Sequence, residues 1–262
     1  MIRPGVEAQI RYSMRTHVGL VRKANEDAVL ALPDLNVWAV ADGMGGHQNG
    51  AFASHTVTEH LSTMAPGLDG AALIQSARDA IQAAHATILE ESARHGGVTI
   101  GATVVVLMIS AGHFACLWAG DSRLYLLRGG ELMRVSRDHS LVADLVEAGK
   151  LTDEEAESHP HANVITRAVG VGGALDIDKR RSTVLPGDRF LLCSDGLTKY
   201  ADDLFLRLML QREPIETVSD RLLAAALDGG GADNISVIVV DVPGADQGGP
   251  VATGAPTYFD HR

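Results

Sequence analysis

The feature that most constrains this chain is where its aspartates fall. Val37-Trp38-Ala39-Val40-Ala41 runs straight into Asp42-Gly43, Phe114 to Ala119 into Gly120-Asp121, and Phe190 to Ser194 into Asp195-Gly196. Asp233-Asn234 stands just before the run Ile235 to Asp241, and Asn25-Glu26-Asp27 before another short apolar run. Runs of this kind read as buried strands. The end of a buried strand is a costly place for a charge. A single Asp-Gly there is ordinarily a turn former. Repeated at Asp27, Asp42, Asp121, Asp195 and Asp233, the pattern asks for more than turns. Convergent carboxylates repel one another unless protonated or bridged by cations. Oxygen donors with no Cys or His at ligand spacing select hard ions, Mg²⁺ or Mn²⁺. Gly43 lets a main-chain carbonyl approach as a further ligand. Two such ions side by side activate water and clamp a phosphoryl oxygen. Arg22, three residues before Asn25, is the natural phosphate clamp beside such a cluster, because guanidinium binds phosphate bidentately.

Further strands are expected over Ala102–Ile109, Leu124–Leu127 and Arg189–Cys193. Helical spacing places Ala53, Val57, Leu61 and Met64 on one face, and Leu73, Ala77, Ile81, Ala84 and Ile88 on another. A third helix is expected from Pro214 to Leu227, with the proline in its first turn. Residues 136–181 form a polar excursion holding His139, His159 and His161, with a short helix signalled by Thr152 and Glu155 at capping-box spacing. His-x-His is a known ligand spacing, but these histidines read first as polar residues of the excursion. Strands in clusters and helices in pairs imply α+β layering. The tail 243–262, rich in Gly, Pro and Ala, is expected to be disordered.

The 262 residues suit one large domain or two small ones. Lys and Arg number 22 against 33 Asp and Glu, a net charge of −11, which argues against a general nucleic-acid binder. Aromatic residues at 4% leave few platforms for stacking bases. Cys116 and Cys193 sit inside apolar runs and read as buried thiols, not a disulfide. The first residues hold no apolar stretch like a signal peptide, and Ala102 to Ala111 is about half a membrane span. A cytoplasmic protein with no membrane contact is expected.

Five motifs occur in order: Arg22-Lys23-Ala24-Asn25-Glu26-Asp27-Ala28, Val40-Ala41-Asp42-Gly43-Met44-Gly45-Gly46-His47, Ala119-Gly120-Asp121-Ser122-Arg123, Leu192-Cys193-Ser194-Asp195-Gly196-Leu197, and Gly231-Ala232-Asp233-Asn234-Ile235-Ser236-Val237-Ile238. Together they resemble the type-2C family of metal-dependent Ser/Thr protein phosphatases in its compact bacterial form. The resemblance runs from about Tyr12 to Val242. It implies a four-layer α-β-β-α sandwich with two central antiparallel sheets, a catalytic domain over 10–242 and a flap subdomain over about 136–181. It implies two Mn²⁺ or Mg²⁺ ions, with a third as in bacterial members. Asp42 would bridge two ions and the Gly43 carbonyl would bind one. Asp195 and Asp233 would ligate the second, and Asp121 with Asp195 the third. Asp27 would ligate a metal directly or act just outside it by orienting metal-bound water, and Arg22 would hold the substrate phosphate. Asn234 would orient the Asp233 loop, and Ser122 and Arg123 would support the Asp121 turn. The reaction implied is direct hydrolysis of phosphoserine or phosphothreonine by activated water. Partners implied are phosphoproteins and a cognate bacterial Ser/Thr kinase, with the chain a monomer.

Two departures matter. Animal members carry His directly after the metal-binding Asp-Gly; here it is Met44, so the acid that protonates the leaving group is open between His47 and a metal-bound water. Gly50-Ala51 replaces the Gly-Glu that bacterial members often carry at the first long helix. Two other readings compete. A silent phosphoprotein-binding relative predicts missing ligands, yet every acidic site and Arg22 are present. Another two-metal phosphohydrolase, a nuclease or nucleotide phosphatase, would want a basic groove or stacking aromatics.

Overall fold

The protein, seen in a computed structural model, is described for residues 10–244 except His47 and Ser158. The expected tail from 245 onward and the candidate acid His47 lie outside the described residues.

Two antiparallel sheets stack face to face. The first orders β1 (Arg11–His17), β11 (Ile235–Asp241), β10 (Arg189–Cys193), β7 (Arg123–Arg128) and β8 (Glu131–Arg134). The second orders β2 (Asp27–Leu32), β3 (Val37–Met44), β5 (Val104–Ser110), β6 (His113–Ala119) and β9 (Asp178–Thr183), with β4 (Gly101–Ala102) also paired to β3. Helices α1 (Gln48–Ser62) and α2 (Gly70–Arg94) cover the second sheet. Helices α5 (Asp195–Thr198), α6 (Asp203–Arg212) and α7 (Ile215–Asp228) cover the first. The short helices α3 (Leu141–Glu147) and α4 (Asp153–Glu157) belong to the polar excursion. The expected α-β-β-α sandwich is the observed one.

The alternation of a strand explains the layers. In β3, Val37, Ala39 and Ala41 face the helices, while Trp38 and Val40 face the other sheet. Both faces are buried, so the run is apolar throughout. Phe114 and Phe190 meet across the sheet interface edge to face at 5.0 Å. Full burial of each such side chain contributes about 1.5–3 kcal/mol. These packed layers fix the positions of the strand ends, and with them the aspartates.

The structure departs from expectation at four places. The run expected as one strand over Ala102–Ile109 is broken at Thr103, where β4 pairs with Gly43 and Met44 and β5 with Val37 to Val40. The excursion expected over 136–181 ends earlier, because Asp178–Thr183 is an edge strand on β6. Its polar sequence hides the strand, since alternate side chains face solvent. Pro214 precedes α7 at its N-cap and is not inside the first turn. Strand β1 is masked in sequence by Arg11 and Arg15, which pair outward with Glu216 and Asp220 of α7. The capping box appears as expected: Thr152 N–H donates to Glu155 Oε2 (2.8 Å) and Glu155 N–H to Thr152 Oγ1 (3.2 Å).

Candidate active site

The antiparallel registers bring the acidic junctions to one end of the sandwich. Asp27 and Asp42 are direct partners across β2 and β3. Asp121 follows β6, Asp195 follows β10, and Asp233 precedes β11. Ser194 ties the two sheets together: its hydroxyl donates to Asp27 Oδ2 (2.9 Å) and accepts from Ser236 N–H (3.0 Å).

Each acid has its own support. The break at Thr103 holds Asp42, whose carbonyl accepts from Thr103 N–H (2.8 Å) and whose N–H donates to Thr103 Oγ1 (3.2 Å). Thr103 Oγ1 in turn meets Ser122 Oγ at 2.6 Å, beside Asp121. Gly43 cannot carry a side chain, because a Cβ would lie 2.1 Å from the Gly50 carbonyl oxygen and 2.5 Å from that of Glu26. Gly120 has φ +114°, and a Cβ there would strike Thr103 at 2.5 Å. The Asp121 turn is gripped by His139, which exchanges backbone and ring hydrogen bonds with Gly120 (2.9 and 3.1 Å). The His139 ring stacks on Trp118 and sits 3.2 Å from Asp178. Burial holds the imidazole below its ordinary range, so its Nδ1 stays free to accept. Arg123 turns away to Asp138 (2.8 Å). Asn234 joins three segments: it accepts from Glu26 N–H (2.7 Å) and donates to the carbonyls of Val18 (2.9 Å) and Ala24 (3.0 Å).

The electrostatics divide the cluster in two. Burial lifts the Asp27 carboxyl to about 6, with the charges of Asp195 and Asp233 adding to the effect. Desolvation raises Asp42 well above the usual carboxylate range, reinforced by Asp27, Asp195, Asp121 and Asp233. Burial pushes Asp121 up to about 7, helped by Asp195 and Asp138. Asp233 goes the other way: burial would raise it, but Lys199 and Arg22 pull it below its ordinary value. Lys199 Nζ lies 2.8 Å from both Asp195 Oδ2 and Asp233 Oδ2. Arg22 reaches Asp233 with Nε (2.9 Å) and Nη2 (3.0 Å).

The donor set fits divalent cations. It is all oxygen, as hard ions require. Asp27 Oδ1 and Asp195 Oδ1 are buried and find no hydrogen-bond partner among the described residues. A buried, unsatisfied carboxylate oxygen is costly, and a cation is its ordinary remedy. The cluster is gathered but not closed: among the described residues, no three His, Cys, Asp or Glu side chains stand ready to hold an ion. The cationic side chains of Lys199 and Arg22 lie on two of the acids instead.

The structure therefore brings together Asp27, Asp42, Gly43, Asp121, Asp195 and Asp233, all singled out in sequence. It places the Arg22 guanidinium on Asp233, where the sequence reading placed it on substrate. It adds Ser194, Thr103 and Lys199, and it sets His139, read in sequence as a polar residue of the excursion, against the Asp121 turn. Only Lys199 had a visible signal, standing four residues after Asp195 in a segment that starts a helix. His159 and His161 lie against each other, rings 5.6 Å apart, among the residues of the excursion.

Comparison with known proteins bears on the family and the fold. Residues 21–228 match the family model for protein phosphatase 2C. The Ser/Thr protein phosphatase PstP of Mycobacterium tuberculosis is 38% identical over 258 residues, covering 97% of this chain and 49% of PstP. The chain thus spans about half the length of that curated relative. Among solved structures, PppA of Pseudomonas aeruginosa, described as a key regulatory component of the type VI secretion system, superposes with a TM-score of 0.83 at 42% identity, covering 89% of this chain and 97% of PppA. The catalytic domain of PstP in complex with two manganese ions gives 0.81 at 35% identity, covering 89% of this chain and 98% of that domain.

Proposed function

Because the chain belongs to the protein phosphatase 2C family, we propose that it removes phosphate from phosphoserine and phosphothreonine in proteins with the help of divalent cations. The observation that carries this reading is the gathering of Asp27, Asp42, Asp121, Asp195 and Asp233 at one end of the sandwich, with buried oxygens of Asp27 and Asp195 unpartnered. In this reading Asp42, the Gly43 carbonyl, Asp195 and Asp233 hold two Mn²⁺ or Mg²⁺ ions, and Asp121 with Asp195 holds a third. Such ions supply Lewis acidity, acidifying water and drawing charge from phosphoryl oxygens.

The chain's own residues do the rest. Asp27, fixed by Ser194, keeps its other oxygen unpartnered among the described residues and would ligate an ion or orient its water. Arg22 is half exposed and long enough to leave Asp233 for a phosphate oxygen. There it would offset charge that grows as the phosphoryl group is attacked. The cysteines take no part: burial pushes both thiols up, far from the thiolate that a nucleophile requires.

Phosphoproteins are the substrate class, a Ser/Thr kinase the opposing enzyme, and the chain acts as a cytoplasmic monomer. No helix among the described residues is long and apolar enough to cross a membrane. The net charge of −11 disfavours nucleic acid. Hydrolysis of a phosphothreonine peptide, a nucleotide and single-stranded DNA in Mn²⁺ should rank the peptide first by a wide margin. Faster cleavage of either of the others would replace this reading with another two-metal phosphohydrolase. Comparing phosphoproteomes with and without the gene checks the opposing kinase, and unchanged phosphoserine and phosphothreonine would contradict it.

A further inference from the structure

Lys199 lies where a metal-binding reading has no use for it. Its ammonium is 2.8 Å from Asp195 Oδ2 and 2.8 Å from Asp233 Oδ2, joining two carboxylates from different strand ends. It reaches them from the C-terminal end of α5, one turn after Asp195 itself. Asp233 is fully engaged: Oδ1 takes Arg22 Nε (2.9 Å) and Asn234 N–H (2.9 Å), while Oδ2 takes Lys199 and Arg22 Nη2 (3.0 Å). Asp195 keeps only Oδ1 unpartnered among the described residues. On the other side of the cluster, Asp27 and Asp42 have no cationic side chain bonded to them among the described residues.

We propose that Lys199 is a tethered counter-cation, a competitor built into the chain for the divalent ion that Asp195 and Asp233 would share. The inference rests on the metal-binding reading above and deepens it. An ammonium and a divalent ion cannot both use the same pair of carboxylate oxygens. Loading that side of the cluster therefore requires Lys199 to let go. Its side chain is 31% exposed, so it can swing into solvent without unpacking a core. Two consequences follow. The metal-free protein avoids the repulsion between Asp195 and Asp233 that would otherwise loosen the site. Occupancy of the shared position is set by a contest between one tethered charge and the free ion, so it tracks ion concentration more weakly bound than the carboxylates alone would allow. The Asp42 side, without such a competitor, fills first.

The test is calorimetric titration of Mn²⁺ into the metal-stripped protein, beside Lys199→Gln and Lys199→Arg, with the melting temperature of each metal-free protein as a check on folding. Wild type is expected to show a tight and a weak step. In Lys199→Gln the weak step should tighten about tenfold or more, while the metal-free protein melts lower. Lys199→Arg, which keeps the charge, should stay near wild type. A weak step unchanged or weakened in a folded Lys199→Gln would overturn the proposal while leaving the metal reading intact. So would an Arg variant that tightens as much as the Gln variant. Should Gln fail to fold, Lys199→Met, which keeps the length of the side chain, carries the same comparison. Wild type that takes up no Mn²⁺ at all would overturn the metal-binding reading, and this inference with it.

Discussion

At one end of β10 and β11, Arg189 donates to both oxygens of Asp241 (2.5 and 2.8 Å) and to the carbonyls of Leu210 and Glu213. Nearby, Arg128 grips Asp188 (2.7 and 2.8 Å), whose second oxygen also accepts from Leu185 N–H. At the other end of the same two strands stand Asp195 and Asp233, and around them Asp27, Asp42 and Asp121. Both ends bury carboxylates at strand junctions. One end supplies an arginine to each acid; at the other, among the described residues, Asp42 and Asp27 have none. Open space does not mark the acidic end. A groove of about 960 Å³, lined by Arg189, Leu210, Pro214 and Asp241 among others, lies at the paired end. What marks a site for external cations is uncompensated charge: buried acids matched within the chain serve stability, and buried acids left unmatched invite ions.

The largest effect that would sharpen this contrast is at Asp42. Asp42→Asn should cut turnover by about a thousandfold or more, since it removes the group proposed to bridge two ions. The metal-free variant should melt no lower than wild type, because it loses a carboxyl whose charged form burial and four neighbouring acids disfavour. Turnover near wild type in a steady-state assay would break the assignment. At the paired end the signs reverse. Asp188→Ala strands Arg128 in a half-buried setting and should cost about 3–5 kcal/mol in denaturant unfolding. Its Mn²⁺ affinity should be unaltered by calorimetry; a large change would mean the two ends are not independent.

Arg22→Ala should raise KM for a phosphopeptide about tenfold or more, the worth of hydrogen bonds to a charged group, with a smaller change in kcat. An unchanged KM would remove Arg22 from the substrate phosphate. A further effect is a pH dependence. The Asp121 carboxyl sits near 7 in the fold against about 3.9 in an unfolded chain. Folded metal-free protein therefore holds a proton that the unfolded chain has released, and it loses stability as pH rises through that interval. Asp121→Asn lacks this loss. Wild type minus variant stability should fall by about 2–3 kcal/mol between pH 5 and pH 8. A difference that stays flat would mean Asp121 is ionised throughout.

The layered fold was legible in sequence because its strands are buried on both faces, which writes continuous apolar runs. Strands with one wet face were not. Arg11 and Arg15 disguise β1, and β9 reads as a polar segment. The candidate site was legible because acids at the ends of apolar runs have few structural reasons to be there. What escaped was its support. Ser194 and Thr103 are ordinary hydroxyls until antiparallel pairing sets one against Asp27 and the other against Asp42. Lys199, and the partner of Arg22, escaped for a different reason. Sequence shows which charges a chain owns, but it takes the fold to show that Lys199 lies across Asp195 and Asp233, and that Arg22 faces Asp233.

The most direct test of the central claim, that the unmatched end is a site for divalent cations, is hydrolysis of a phosphothreonine peptide by metal-stripped protein. Mn²⁺ and then Mg²⁺ are titrated in, with Asp195→Ala run in parallel. The account predicts turnover that appears only with metal and vanishes in the variant. Turnover without metal, or turnover that survives in Asp195→Ala, would contradict it.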